Sequence, residues 1–365
     1  MNPPKRNALL FTPGPTRVHP DILAEMARPA IHHRGPESRE LHRRTAELCA
    51  RLLSTRQPVF LSTSSATGLM EAAVRNCVRE RCLTLSGGAF GDRWREIVLA
   101  CGKEAVPLNV EWGMAIRPEQ VEEILERESV DSVTLVHNET STGVAHPLGA
   151  IAEVMGRHPD ILFLVDVVSS VGGMPIDVDD LGIDVCLAGV QKALALPPGF
   201  SFCSVSERAM RRSEAMLGKG FYFDFVRLRE GARRYQSPYT PSTHHLFALR
   251  RQLERVFSEG LDARFRRHRR MADLVRDWAG RRFQLFAEPG FESDTLTCVK
   301  IPGSGDGAGF ADSLHQEGFQ ISSGYGKLRA DTFRIGHMGE HSPEDVNRLL
   351  AAADRLVNGK SAALP

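Results

Sequence analysis

Lys192 stands in the run Gly189-Val190-Gln191-Lys192-Ala193-Leu194-Ala195-Leu196-Pro197-Pro198-Gly199, just past a short apolar stretch from Val185 to Val190. Asp166 ends another apolar stretch, Phe163-Leu164-Val165-Asp166, 26 residues earlier. Two consecutive buried strands, one ending in a carboxylate and the next followed by a lysine, suit Schiff-base chemistry on pyridoxal phosphate. The amine holds the aldehyde, and the carboxylate keeps the pyridinium nitrogen protonated so that the ring accepts electrons. Lys192 and Asp166 are the candidate catalytic pair.

Three further segments have the composition such a cofactor needs. Ser62-Thr63-Ser64-Ser65-Ala66-Thr67-Gly68 ends a strand and opens an Ala-rich helix. Small residues let a phosphate approach the backbone, and the free N–H groups of a helix start favour a dianion; an ordinary capped helix start uses the same residue types. Gly87-Gly88-Ala89-Phe90-Gly91 sets small residues around one aromatic, which suits either a ring stacked on a planar cofactor or a core phenylalanine. His137-Asn138-Glu139-Thr140-Ser141-Thr142-Gly143 offers hydroxyls to a phenolic oxygen.

The elements that must position these segments read as α/β. Apolar runs at 59–63, 82–86, 106–110, 132–137, 161–167, 185–190 and 200–205 alternate with helical patterns at 68–79, 92–101, 117–127 and 147–156. Such alternation implies a mostly parallel seven-stranded sheet covered on both faces, with functional residues at the strand C-terminal ends. From about residue 259 the pattern changes to a smaller α+β domain. It holds a long arginine-rich helix, strands at 294–301, 319–322 and 332–336, a helix at 310–317 and a last helix opening at Ser342-Pro343-Glu344-Asp345. The domain reading is an N-terminal arm over 1–20, a large cofactor-binding domain over 21–258 and a small C-terminal domain over 259–365.

With 365 residues, 42% hydrophobic, 25% charged and a net charge of +1, nothing points to nucleic acid or an anionic membrane as partner. The stretch Arg264-Phe265-Arg266-Arg267-His268-Arg269-Arg270 lies in a helical pattern and reads as a solvated or interface helix face. The glycines of Gly303-Ser304-Gly305-Asp306-Gly307-Ala308-Gly309 miss the dinucleotide-binding spacing, so a surface connection is expected. Seven scattered cysteines, without a CxxC pair or metal-ligand spacing, imply reduced buried thiols and no metal site. There is no basic-then-apolar leader, no membrane-length apolar run, and no sorting tripeptide in Ser361-Ala362-Ala363-Leu364-Pro365, so a cytoplasmic protein is expected.

Thr12-Pro13-Gly14-Pro15, the His-x-Glu-Thr-Ser-Thr-Gly run, Val165-Asp166 with Ser169-Ser170, Gln191-Lys192-Ala193 with Pro197-Pro198-Gly199, and Phe333-Arg334-Ile335-Gly336 occur in that order. Together, from Leu10 to Val357, they resemble the class V, fold type I, pyridoxal-phosphate aminotransferases, and within them the alanine–glyoxylate/serine–pyruvate branch. The resemblance implies transfer of an amino group from a small L-amino acid of alanine or serine type to glyoxylate or pyruvate by a ping-pong mechanism. It implies Lys192 as Schiff-base lysine and proton shuttle, and Asp166 as the partner of the pyridinium nitrogen. Ser65, Ala66, Thr67 and Gln191 would hold the phosphate, Phe90 would stack on the ring where the family usually has Trp, and Thr140 would contact the ring hydroxyl. Arg334, with Gly14 nearby, would bind the substrate, the arginine gripping its carboxylate as a bidentate fork. Thr240 would reach the phosphate of a neighbouring subunit, implying a homodimer with shared sites. The family's nearby tyrosine falls at Ser237, between Tyr235 and Tyr239. Three other readings are open. 2-Aminoethylphosphonate–pyruvate transaminases share the Thr-Pro-Gly-Pro and Phe-Arg-Ile-Gly motifs. Cysteine desulfurases need a thiol that 321–326 lacks. A non-enzymatic α/β binding or scaffold protein would leave Lys192 on the surface.

Overall fold

The computed structural model describes residues 8–303 and 305–361. Its centre is a seven-stranded sheet of β1 (Val59–Ser62), β2 (Arg81–Ser86), β3 (Glu104–Asn109), β4 (Ser132–Val136), β5 (Leu162–Asp166), β6 (Val185–Gly189) and β7 (Ser201–Val205). The spatial order is β1-β7-β6-β5-β4-β2-β3, with β7 antiparallel to both neighbours and the remaining pairs parallel. Every residue of β1, β4, β5, β6 and β7 is buried, as expected of strands covered on both faces. Two apolar clusters, one on each side, form that cover: Leu48, Phe163, Val165, Phe202 and Leu249 belong to one, Leu69, Trp94, Leu164, Leu187 and Phe225 to the other. β3 differs, being half-exposed and carrying Pro107, which an edge strand tolerates because its outer N–H positions need no ladder partner.

Two helices leave the C-terminal ends of β1 and β2: α1 (Ala66–Cys77) and α2 (Ala89–Ala100). α3 (Thr243–Glu259) and α4 (Leu261–Gly280) then lead to a second sheet, β8 (Gln284–Leu285), β9 (Leu296–Lys300), β10 (Ser322–Ser323) and β11 (Thr332–Gly336), antiparallel in the order β8-β9-β11-β10. α5 (Pro343–Ser361) packs beneath it, with Trp278, Phe333, Leu349 and Ala353 in one core. The expected strand over 319–322 divides. Phe319–Gln320 pairs in parallel with Leu9–Leu10 of the N-terminal arm, while Ser322–Ser323 turns to pair with β11.

The arginine-rich helix meets its sequence expectation in part: Arg266, Arg269 and Arg270 are exposed, while two other residues of the stretch turn inward. Arg264 is 1% exposed, and His268 is fully buried. They continue the apolar stripe of Met271, Val275 and Trp278 at spacings of seven residues, so they face the core rather than solvent. Arg264 is tolerated there because its donors are used. Nε donates to Gly172 O and Nη2 to Ala193 O, both at 2.8 Å, and Nη1 pairs with Glu259 at 2.8 Å. All seven cysteines are free thiols, six of them buried. Asp306 caps the helix Gly307–Gln316 through Gly309 N–H at 2.8 Å, which makes the glycine-rich stretch a helix approach. Among the described residues no helix is long and apolar enough to cross a membrane. The tripeptide read at the C-terminus lies outside the described residues.

Candidate active site

β5 and β6 are parallel, with Asp166 opposite Leu187, so the carboxylate and the lysine that follows β6 leave the sheet at the same edge. They line one cavity of about 290 Å³. Around it, the starts of α1 and α2 bring Ser65, Ala66, Thr67 and Phe90, the loop after β4 brings Thr140, and Gln191 and Gly14 complete the wall. Of the residues to which the resemblance gives a catalytic, cofactor or substrate role, two lie outside this wall. Arg334 stands behind Thr140, donating from Nη1 to Thr140 O at 2.9 Å and from Nε to Ser323 O at 3.2 Å. Thr240 is exposed and does not line the cavity of its own chain. Ser237 accepts a hydrogen bond from Tyr239 N–H at 3.2 Å, Tyr235 is exposed, and Tyr239 stacks on Tyr222 at 4.5 Å.

The lysine is held by its own loop and by the arm. Gln191 O accepts from Thr16 N–H at 3.2 Å, Lys192 O from Ala195 N–H at 2.8 Å, and Ala193 O from Arg264. Lys192 Nζ donates to Pro13 O. Gly14, with φ of +117°, passes so close that an added Cβ would lie 2.4 Å from Lys192 Cδ. Any side chain there would displace the lysine, and the backbone conformation itself favours glycine.

Burial sets the electrostatics. Lys192 is 9% exposed, and its amine is lowered to about 8, first by desolvation and then by the charge of Arg334; Asp166 and Glu139 oppose the shift. Desolvation raises the Asp166 carboxyl to about 7, although Val168 N–H donates to Oδ1 at 2.7 Å. A neutral amine attacks an aldehyde, so the lowered value matters: at pH 7.5 about a quarter of Lys192 is uncharged, against about a thousandth for an ordinary lysine. The rate at which the cofactor-free protein captures pyridoxal phosphate, followed by absorbance, should rise with pH and level off above about 8. A plateau near the ordinary lysine value would contradict this environment.

Two functional groups carry no assignment from the sequence, Glu139 and Arg93. Glu139 is fully buried. One carboxylate oxygen accepts from Phe90 N–H at 3.0 Å and Gly91 N–H at 3.1 Å, the other from Ser141 N–H at 3.0 Å and Oγ at 2.6 Å. Gly88, the residue before α2, offers no side chain to cap it, so a carboxylate 49 residues away satisfies its first N–H groups. The sequence signal is the glycine at that N-cap, which leaves the donors for another segment. Arg93, one turn beyond Phe90, also lines the cavity and belongs to no motif.

The polar groups of the cavity suit pyridoxal phosphate. The first N–H groups of α1 have no intrahelical acceptor, and Ser65 at its N-cap makes no capping bond, which leaves a dianion site. Asn138, also on the wall, donates to Ser169 O and Thr295 Oγ1, but its buried Oδ1 has no partner. A buried amine, a buried carboxyl across from it and a helix start beside them match the aldehyde, ring nitrogen and phosphate. The residues fit the group.

Comparison with known proteins agrees with the geometry. The family "Aminotransferase class-V" matches residues 8–327. An uncharacterised aminotransferase of Methanocaldococcus jannaschii is 38% identical over 355 residues, covering 95% of this chain and 91% of that protein. The L-aspartate–glyoxylate aminotransferase of Paracoccus denitrificans is 32% identical over 345 residues, covering 90% and 86%. The crystal structure of alanine–glyoxylate aminotransferase from Nostoc sp. superposes with a TM-score of 0.92 at 28% identity, covering 98% of this chain and 97% of that one.

Proposed function

This chain belongs to the class V aminotransferases and is a pyridoxal-phosphate-dependent enzyme of fold type I, and from that premise we propose that it moves an amino group from a small L-amino acid to glyoxylate or pyruvate. The observation that carries the reading is the burial of Lys192 and Asp166 on one cavity wall beside an uncapped helix start. Glyoxylate as acceptor rests on the names of the Paracoccus and Nostoc relatives. The exchange is ping-pong: the donor leaves its amino group on the enzyme and departs as an oxo acid before the acceptor enters the same site.

Pyridoxal phosphate, when bound, supplies an electron-withdrawing ring that takes up the charge left at the substrate Cα. Lys192 would anchor it and, once released, would serve as the base that takes the proton from the substrate Cα. Asp166 keeps the ring nitrogen protonated. Ser65, Ala66, Thr67 and Gln191 hold the phosphate, Phe90 covers one ring face, and Thr140 meets the ring hydroxyl. Gly14 keeps the arm clear of Lys192. Arg334 would hold the α-carboxylate and so restrict rotation of the bound substrate about its Cα. A second copy of the chain completes the site: Thr240 reaches its phosphate, and the exposed Phe221 and Tyr222 beside Tyr239 meet its surface. The enzyme works in the cytoplasm.

A panel of L-Ala, L-Ser, L-Asp and 2-aminoethylphosphonate against glyoxylate and pyruvate tests the reading. Turnover of α-amino acids is expected; turnover of 2-aminoethylphosphonate alone would replace it with the phosphonate transaminase reading. Arg334→Lys should raise KM for both amino acid and oxo acid by about tenfold or more and lower kcat, because a point charge orients a carboxylate poorly. Unchanged KM with a lowered melting temperature would reduce Arg334 to a tie between β11 and the Thr140 loop.

A further inference from the structure

Arg93 carries a charge that the roles above leave unused. It sits three residues beyond Phe90 on the same face of α2, lines the cavity with Lys192 and Asp166, and has its guanidinium carbon 4.7 Å from the Phe90 ring centroid. Among the described residues its one hydrogen bond runs from Nη2 to Tyr325 Oη at 3.3 Å. Arg334 approaches the same tyrosine from another side, its guanidinium carbon 5.4 Å from the ring centroid. Two guanidiniums thus approach one phenol, Arg93 from the cavity wall and Arg334 from behind Thr140. Among the described residues neither is paired with a carboxylate; Arg334 bonds only carbonyl oxygens. Elsewhere in this chain arginines pair freely with acids, Arg43 with Glu40 and Glu47, Arg81 with Glu104 and Glu128, Arg276 with Asp273 and Asp294.

The nearby acids are committed. Glu139 is spent on two N–H groups at the start of α2 and on the N–H and hydroxyl of Ser141, and Asp166, which accepts from Val168 N–H, is assigned to the ring nitrogen. The positive charge of Arg93 is felt in the site, where it adds to the lowering of Lys192 and opposes the rise of Asp166. A guanidinium stays charged at every working pH, and in a cleft its field is focused on whatever enters. An incoming α-carboxylate satisfies Arg334 alone.

We infer that Arg93 is a specificity-determining residue that binds a second carboxylate, on the side chain of the amino donor. The site then takes short dicarboxylic amino acids in preference to their neutral counterparts of equal size. The inference rests on the aminotransferase reading and names its donor class.

The test compares L-aspartate with L-asparagine, nearly equal in shape and different in charge, each with glyoxylate as acceptor. The native enzyme should favour aspartate by at least tenfold in kcat/KM. Arg93→Met should collapse that ratio by at least tenfold, and Arg93→Lys, which keeps the charge and loses the fork, should retain part of it. Succinate and propionate, titrated into the cofactor-loaded enzyme and followed by its absorbance, give a reading independent of turnover. Succinate should bind at least tenfold more tightly, and Arg93→Met should remove the difference. An aspartate-to-asparagine ratio unchanged by Arg93→Met, or equal losses on both donors with a lowered melting temperature, would overturn the inference. If no amino acid turns over while succinate binding still depends on Arg93, the reaction reading fails and the anion site stands. If neutral donors turn over with no preference for aspartate, the anion site fails and the reaction reading stands.

Discussion

Replacing Lys192 with alanine should abolish transamination in a protein that still folds. The loss should reach at least about a thousandfold in kcat, because the proposed function makes the same amine both covalent anchor and proton carrier, and general acid–base help alone is commonly worth about 10²–10⁴. No neighbour can take over. The other nearby cations, Arg93 on the cavity wall and Arg334 behind Thr140, carry guanidiniums, a group unsuited to act as a base. The fold should persist because Lys192 Nζ bonds only Pro13 O, and burial already disfavours its charged form. The backbone bonds on either side, from Thr16 N–H, Ala195 N–H and Arg264, do not involve its side chain. Near-normal turnover by Lys192→Ala would sink the whole functional reading. A collapse of the melting temperature together with activity would instead make the lysine a structural residue.

Asp166→Asn should lower kcat by at least tenfold, about 1.4 kcal/mol of barrier, and weaken cofactor binding. The amide can still accept from Val168 N–H, so the local backbone should survive, but it cannot hold a proton on the ring nitrogen. The pH dependence separates this role from a structural one. In the cofactor-free protein the carboxyl is raised from 3.8 to about 7 by desolvation. A carboxyl raised on folding contributes stability below its unfolded value, and that contribution is lost as pH rises through the folded value. Above pH 7 the native cofactor-free protein therefore bears an unpaired buried carboxylate, which the neutral amide of the Asp166→Asn variant removes. The cofactor-free variant should melt at the same temperature or higher at pH 8, while the loaded variant should gain less from cofactor than the native enzyme does. A loss of activity below tenfold, or a cofactor-free variant much less stable at pH 8, would place the carboxylate in another role.

How far the primary structure reaches can be seen residue by residue. The apolar runs ending at Asp166 and before Lys192 were legible as buried strands because a sheet covered on both faces needs unbroken hydrophobic stretches, and nothing distant alters that requirement. Placement of functional groups at the C-terminal ends followed from the same alternation, since each parallel strand must hand over to a helix at that edge. Ser65, Phe90 and Thr140 were found at those ends for this reason.

Tertiary structure decided the groups whose meaning depends on a partner far along the chain. Glu139 meets Phe90 N–H across 49 residues, and Lys192 meets Pro13 O across 179. Arg264 reads as a solvated charge because its burial depends on three carbonyls of Gly172, Ala193 and Gly339 that converge only after the two sheets pack. Its place on the stripe of Met271 and Val275 is visible in the sequence, but charge argues against it. A buried cation is tolerated only when every donor is met, and local periodicity carries no information about donors and acceptors brought from elsewhere. Local pattern therefore determined the sheet and the residues at its edge. Packing determined which charges those residues feel, through the burial that lowers Lys192 and raises Asp166 and through the guanidiniums of Arg93 and Arg334 that meet at Tyr325.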